Sequence, residues 1–212
     1  TVRPLYMLPA GNESLFARAC AMSSDFVAIE SALRRGRVSL RNFAFAGETP
    51  FFLMASVGFD ATVVKLLSTV RSGPVGTRGY VVPSCRAFLA YAPPCVSVRV
   101  DGRDAVREEP GYFIVANSSQ YARRLDPVPD ASSELPVLKA RFFPKFSRLS
   151  VVRAAVAAGL KRPLTLPSQH FEGRCFEVST IDEAAIQADG DYVGSTPLTI
   201  RRAEAPVPVL LP

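Results

Sequence analysis

Residues 95–116 read CVSVRVDGRDAVREEPGYFIVA. Val96, Val98 and Val100 alternate with polar neighbours, the period of a strand with one face buried. Asp101-Gly102 follows, a pair that accepts the left-handed backbone of a two-residue hairpin. The chain returns around Ala105, and residues 112–116 form a nearly unbroken apolar strand. Strand, tight turn and strand predict antiparallel β-structure at the centre of the chain.

The pattern continues towards the carboxy terminus. Residues 137–143, 174–179, 185–188, 197–200 and 207–211 read as further strands, with a second tight turn at Asp189-Gly190. Residues 146–160 break the series, because Leu149, Val152, Val156 and Leu160 fall on one helical face. On the amino-terminal side, Val38, Leu40, Asn42 and Ala44 alternate, and 51–57 follows across a turn at 47–50. Asp60 is placed to cap a helix carrying Val63, Val64, Leu67 and Val70. A glycine-containing loop over 71–78 then leads to a helical stretch near 85–91.

The first 35 residues differ in character. An apolar run over 5–8 ends at Pro9, and Asn12 can cap a helix with Leu15, Phe16, Ala19 and Cys20 at helical spacing. Ser24 or Asp25 starts another helix with Phe26, Ile29 and Leu33, which Gly36 stops. The expectation is a helical preface followed by a sheet-dominated domain.

Composition narrows the class. The chain has 212 residues, 48% apolar and 21% charged, which is the balance of a globular protein. Its 18 prolines argue against an all-helical bundle. A single histidine, His170, excludes polyhistidine metal sites, and without a serine elbow it reads as a surface or packing residue. Cys20, Cys85, Cys95 and Cys175 have no paired spacing, so buried free thiols in a reducing, cytoplasmic compartment are expected. No apolar run is long enough to span a membrane. The net charge of +6 comes mostly from arginine, without a nucleic-acid-reading motif, and suits anionic lipid headgroups or phosphates.

Four short segments can carry chemistry. Asp189-Gly190-Asp191 sets two carboxylates at a tight turn, where they could take a proton from an alcohol or hold magnesium through water. The same residues are also simply a good hairpin turn. Gly11-Asn12-Glu13-Ser14 feeds a helix start, whose backbone N–H groups favour phosphate. Ser56-Val57-Gly58-Phe59-Asp60-Ala61 is a strand-to-helix turn whose Asp60 is most simply an N-cap, and Asn117 ends an apolar strand.

Taken together, in order, these segments resemble the diacylglycerol kinase and sphingosine kinase family of lipid kinases. Residues 9–18, PAGNESLFAR, resemble its P-x-G-T-x-N-x-x-A-R segment, and Gly58-Phe59-Asp60-Ala61 its G-F-D-A turn. Asn117 with Tyr121 and Pro129-Asp130-Ala131 is similar to its V-x-N-x-x-x-Y…P-x-A stretch. Asp189-Gly190-Asp191 with Thr196-Pro197-Leu198 resembles its D-G-E…T-P-x ending, and 206–212 its apolar closing strand.

The resemblance implies an α+β fold dominated by an antiparallel β-sandwich with a few helices. Residues 1–35 would be left over from an α/β nucleotide-binding domain, and 36–212 would form the sandwich, its last strand returning to the first domain. The family's G-G-D-G-T loop has no counterpart here, so the chain looks like the carboxy-terminal two-thirds of a kinase and by itself is expected to be inactive. The implied activity is transfer of the γ-phosphoryl group of ATP, with Mg2+, to a lipid hydroxyl at a membrane surface. Asp189 would orient the acceptor hydroxyl and take its proton, with Asp191 assisting. Gly11, Asn12 and Ser14 would lie near nucleotide phosphates, and acyl chains would enter the sandwich between walls such as 112–116. Asn12 and Ser14 replace the usual Thr and Asn, Asp191 the usual Glu, and Glu134-Leu135-Pro136 an acidic-glycine pattern; metal ligands stay unassigned. The alternative is a lipid-binding or interaction module without catalysis.

Overall fold

The computed structural model describes residues 3–9, 14–70, 77–119, 126–160 and 162–212. The expected cap at Asn12 and most of the 71–78 loop lie outside them. The amino-terminal elements are α1 (Leu15–Ala19), α2 (Phe26–Arg35), β1 (Val38–Arg41), β2 (Ala44–Ala46), β3 (Thr49–Phe51) and β4 (Met54–Val57). Then come α3 (Phe59–Val70), a 3-10 turn, α4 (Val81–Ala90), β5 (Cys95–Val100), β6 (Arg103–Ala116), β7 (Leu138–Pro144) and α5 (Arg148–Gly159). The chain closes with β8 (Gln169–Gly173), β9 (Cys175–Thr180), β10 (Ala185–Ala188), β11 (Asp191–Ser195), β12 (Leu198–Arg202) and β13 (Val207–Leu210).

The strands form an antiparallel sandwich joined by β6. Its first half pairs with β5, which continues through β9, β12 and β2 to β3. Its second half runs between β4 and β7, in the layer that holds β11, β10 and β8. Side chains alternate across this strand, as the pleat requires. Phe113 and Val115 enter the core shared with Val96, Val98, Phe142, Phe176 and Ile200. Ile114, Tyr112 and Ala116 face the other way, onto a second cluster with Tyr91, Phe146 and Val151. Burial of each large apolar side chain in such a core contributes about 2 kcal/mol. A third cluster packs Phe16, Ala17, Cys20 and Met22 against Val209, and β13 also pairs with β1.

The expected hairpins and most strands are present, with some departures. The alternating run over 38–44 is broken: β1 joins β13, whereas β2 pairs with β12 and β3. Buried Asn42 causes the break, since its N–H donates to the Ser133 carbonyl at 2.7 Å and its Nδ2 to the Leu135 carbonyl at 2.6 Å. β8 carries no clear apolar alternation, being a polar strand that pairs with β7 alone. α2 ends at Gly36 in the left-handed region as expected, but Phe26 and Leu33 are exposed. His170 lies exposed on β8. The cysteines are all unpaired, yet only Cys20 is buried, and Cys85 is exposed.

Candidate active site

β4 delivers the chain into α3 through Gly58, whose φ of 143° and contact with Tyr112 admit no side chain; a β-carbon there would sit 2.5 Å from the ring. Asp60 therefore falls inside the first turn of α3 and not ahead of it as a cap. Its Oδ1 accepts the Ala61 N–H at 2.8 Å. Its Oδ2 accepts from Ser56 Oγ (2.7 Å), Tyr112 OH (3.1 Å) and Gln187 Nε2 (3.2 Å). Gln187 also donates to Ser56 Oγ at 2.8 Å, and its Oε1 accepts the Gly190 N–H at 2.9 Å. A buried polar network thus runs from the start of α3 to the Asp189-Gly190-Asp191 turn. Such a network holds its members in fixed positions because each unpaired group would be costly.

That turn links β10 to β11, with φ of 50° at Asp189 and 91° at Gly190. The Asp189 carboxylate folds beneath the 52–54 segment while the residue's outer surface stays exposed. Its Oδ2 accepts the Phe52 N–H at 2.7 Å, and its Oδ1 accepts those of Leu53 (2.9 Å) and Met54 (3.0 Å). Burial pushes this carboxyl above the usual carboxylate range, and the nearby Asp191 charge adds to the rise; the amide donors pull the other way. Asp191 begins β11 and is exposed.

Asn117 grips the 52–54 segment as well. Its Nδ2 donates to the Phe52 carbonyl (2.7 Å) and to the Asn42 carbonyl (2.9 Å), and its N–H donates to the Leu53 carbonyl (2.8 Å). Phe52 in turn packs on Phe16 of α1, with ring centroids 4.7 Å apart. Ser14, at the start of α1, has a left-handed φ of 36°. Gly11 and Asn12 lie outside the described residues. The structure therefore brings together Asp60, Asn117, Asp189, Asp191 and the first turn of α1.

Sequence reasoning included Ser56 in the segment before α3 and missed Tyr112 and Gln187. Gln187 carried a signal, a polar side chain in an otherwise apolar strand. Glu134 forms an ion pair with Arg41 at 2.5 Å. Among the described residues no group of three His, Cys, Asp or Glu side chains could hold a metal ion. Both faces of 112–116 are covered by protein side chains, so these strands do not wall an acyl channel. A groove of about 690 Å3 on the β5, β9 and β12 side is lined by Arg99, Asp104 and Glu177 and by neither carboxylate of the turn, and it is not assigned to the site.

Comparison with known proteins adds a family. Residues 54–211 match the model of the YegS C-terminal NAD kinase beta sandwich-like domain. An uncharacterized protein of Synechocystis is 21% identical over 207 residues; the alignment covers 93% of this chain and 47% of that protein, so the chain spans about half its relative's length. Among solved structures, a diacylglycerol kinase from Bacillus anthracis strain Sterne superposes with a TM-score of 0.61 at 12% identity, over 93% of this chain and 62% of that one. A further solved structure from the same strain gives 0.68 at 14% identity, over 96% and 68%. At these identities the superpositions speak for the fold.

Proposed function

This chain belongs to the family of the YegS C-terminal NAD kinase beta sandwich-like domain, and from that premise we propose that the protein carrying it is an ATP-dependent lipid kinase. The reaction would move the γ-phosphoryl group to a diacylglycerol-like or sphingoid-like hydroxyl. The observation that carries this reading is convergence. Asp189, Asn117 and α1 all meet the 52–54 segment, and Asp60 reaches the same turn through Gln187 and Gly190.

Phosphoryl transfer depends on positioning and charge neutralisation more than on covalent work by the protein. In this assignment Asp189 is a positioning residue, since both its oxygens are engaged by main-chain N–H groups. Asp191, next to it and exposed, is the carboxylate that meets the acceptor hydroxyl and takes its proton as the oxygen–phosphorus bond forms. Gly11, Asn12 and Ser14 are assigned to the nucleotide phosphates. Among the described residues no three His, Cys, Asp or Glu side chains gather to hold a metal ion, so Mg2+ is given no ligands and no step is routed through it.

The test is transfer of labelled γ-phosphate by the full-length protein to diacylglycerol and to sphingosine. Asp191→Asn should lower turnover by roughly 10²-fold with unchanged melting, the scale of a lost positioned base. Wild-type turnover in that variant would remove Asp191 from the reaction. A folded full-length protein that binds lipid but phosphorylates no lipid alcohol would favour the non-catalytic module.

A further inference from the structure

Helix α5 carries Leu149, Val152 and Val156, with Leu160 at its C-cap, on one line of its surface. A stripe at that spacing ordinarily faces a core, but here the four side chains are 44–60% exposed. The opposite side is the one that packs, with Val151 and Ala154 entering the cluster above the sheet. The faces between carry Arg148, Ser150, Arg153 and Gly159 together with alanines, so α5 has two apolar stripes of which only one is covered. A helix of that kind calls for a second apolar environment.

Arg148 donates to the Leu89 carbonyl at 2.6 Å and to the Tyr91 carbonyl at 3.3 Å, which holds the end of α4 against the start of α5. Leu89, 72% exposed, lies at this end of α4. Charge identifies the partner. Residues 144–171, which include α5, contain five Lys and Arg and no Asp or Glu, whereas Lys139 and Arg99 farther along the sheet are paired with Glu172 and Glu177. Arg153 flanks the stripe on α5, and Lys145 and Arg162 lie exposed at the two ends of the helical segment. Apolar side chains flanked by such cations complement an anionic bilayer, where the apolar atoms enter the acyl boundary and the cations stay among the headgroups. A nucleic acid would use the cations but leave the stripe in water. α2 also exposes apolar residues, but it carries Glu30, which pairs with Arg34, and follows Asp25. No helix among the described residues is long and apolar enough to cross the membrane, so the contact is interfacial.

We infer that the exposed face of α5, with Leu89 at the adjoining end of α4, is where this protein rests on an anionic lipid surface. The choice of a bilayer rests on the lipid-kinase reading, and it fits a sandwich whose inner strands are filled by protein side chains, since the acyl chains of an acceptor can then remain in the membrane. The experiment is co-sedimentation of the chain with phosphatidylcholine vesicles, with and without phosphatidylglycerol. Wild type should partition onto the phosphatidylglycerol vesicles, and less so at high salt. The double variant Val152→Ser/Val156→Ser and the single variant Arg153→Glu should each bind about 10-fold or more weakly, at unchanged melting temperature. Because this readout needs no turnover, a protein that phosphorylates nothing yet loses binding through α5 still supports the face. Variants that bind as wild type would overturn it, as would a wild-type chain that ignores the vesicles. So would binding that instead follows Phe26→Ser on α2, or a dimer in solution that Val152→Ser/Val156→Ser dissociates.

Discussion

Asp101 has a φ of 47°, precedes a glycine, and turns its carboxylate onto the amides of Arg174 (3.0 Å) and Cys175 (2.9 Å). Asp189 does the same with Phe52, Leu53 and Met54. In each case a charged acceptor fastens a hairpin turn to a neighbouring stretch of backbone, an interaction stronger than a neutral hydrogen bond. Asp101→Asn and Asp189→Asn should therefore each cost about 1–3 kcal/mol in urea denaturation. A variant at Asp189 with full stability would return that carboxylate to the reaction itself. Local chemistry marked both turns alike, because the dipeptide is the same, and only the family resemblance singled out the second. What distinguishes the second turn is Asp191 next to it and Gln187 beneath it, whose link to Asp60 spans 127 positions in the chain. No local pattern reports a partner that distant.

The decisive element is β6. One strand serves both layers, so it has to pass between them where Pro110 and Gly111 sit, opposite Cys95 and Pro144 respectively. A β-carbon at position 111 would lie 2.5 Å from the Phe142 ring and 2.6 Å from the Phe143 carbonyl oxygen. Gly111→Ala should then destabilise by at least 1–3 kcal/mol, roughly the cost of overpacking a close-packed core, and the urea midpoint should fall accordingly. A midpoint unchanged from wild type would show that β7 yields at that point. Element identity was readable here: alternation, Asp101-Gly102 and the apolar run each have a local cause. Which residues of an element face the core was less readable. The α5 stripe has helical spacing, but the sheet beneath takes Val151 and leaves Val152 in solvent. Periodicity gives a face, and only the packing partner gives its direction.

At the scale of the molecule, four unpaired cysteines leave cohesion to the apolar clusters and the strand ladders. Thermal melting should be the same with and without reductant; a fall of several degrees on reduction would reveal a disulfide. By itself the sequence determined the sheet-dominated class, the tight turns, the helix after Gly58 and the family likeness. Each of these depends on neighbours within a few residues or on short motifs in order. The tertiary structure alone decided that β4 lies between β10 and β6, that β9 lies between β5 and β12, and that β1 leaves its apparent continuation for β13. It also gathered Asn117, Asp189 and α1 around residues 52–54. The reason is physical: backbone propensity and side-chain alternation act along the chain, whereas strand partners are chosen by packing and hydrogen bonding between segments far apart in sequence.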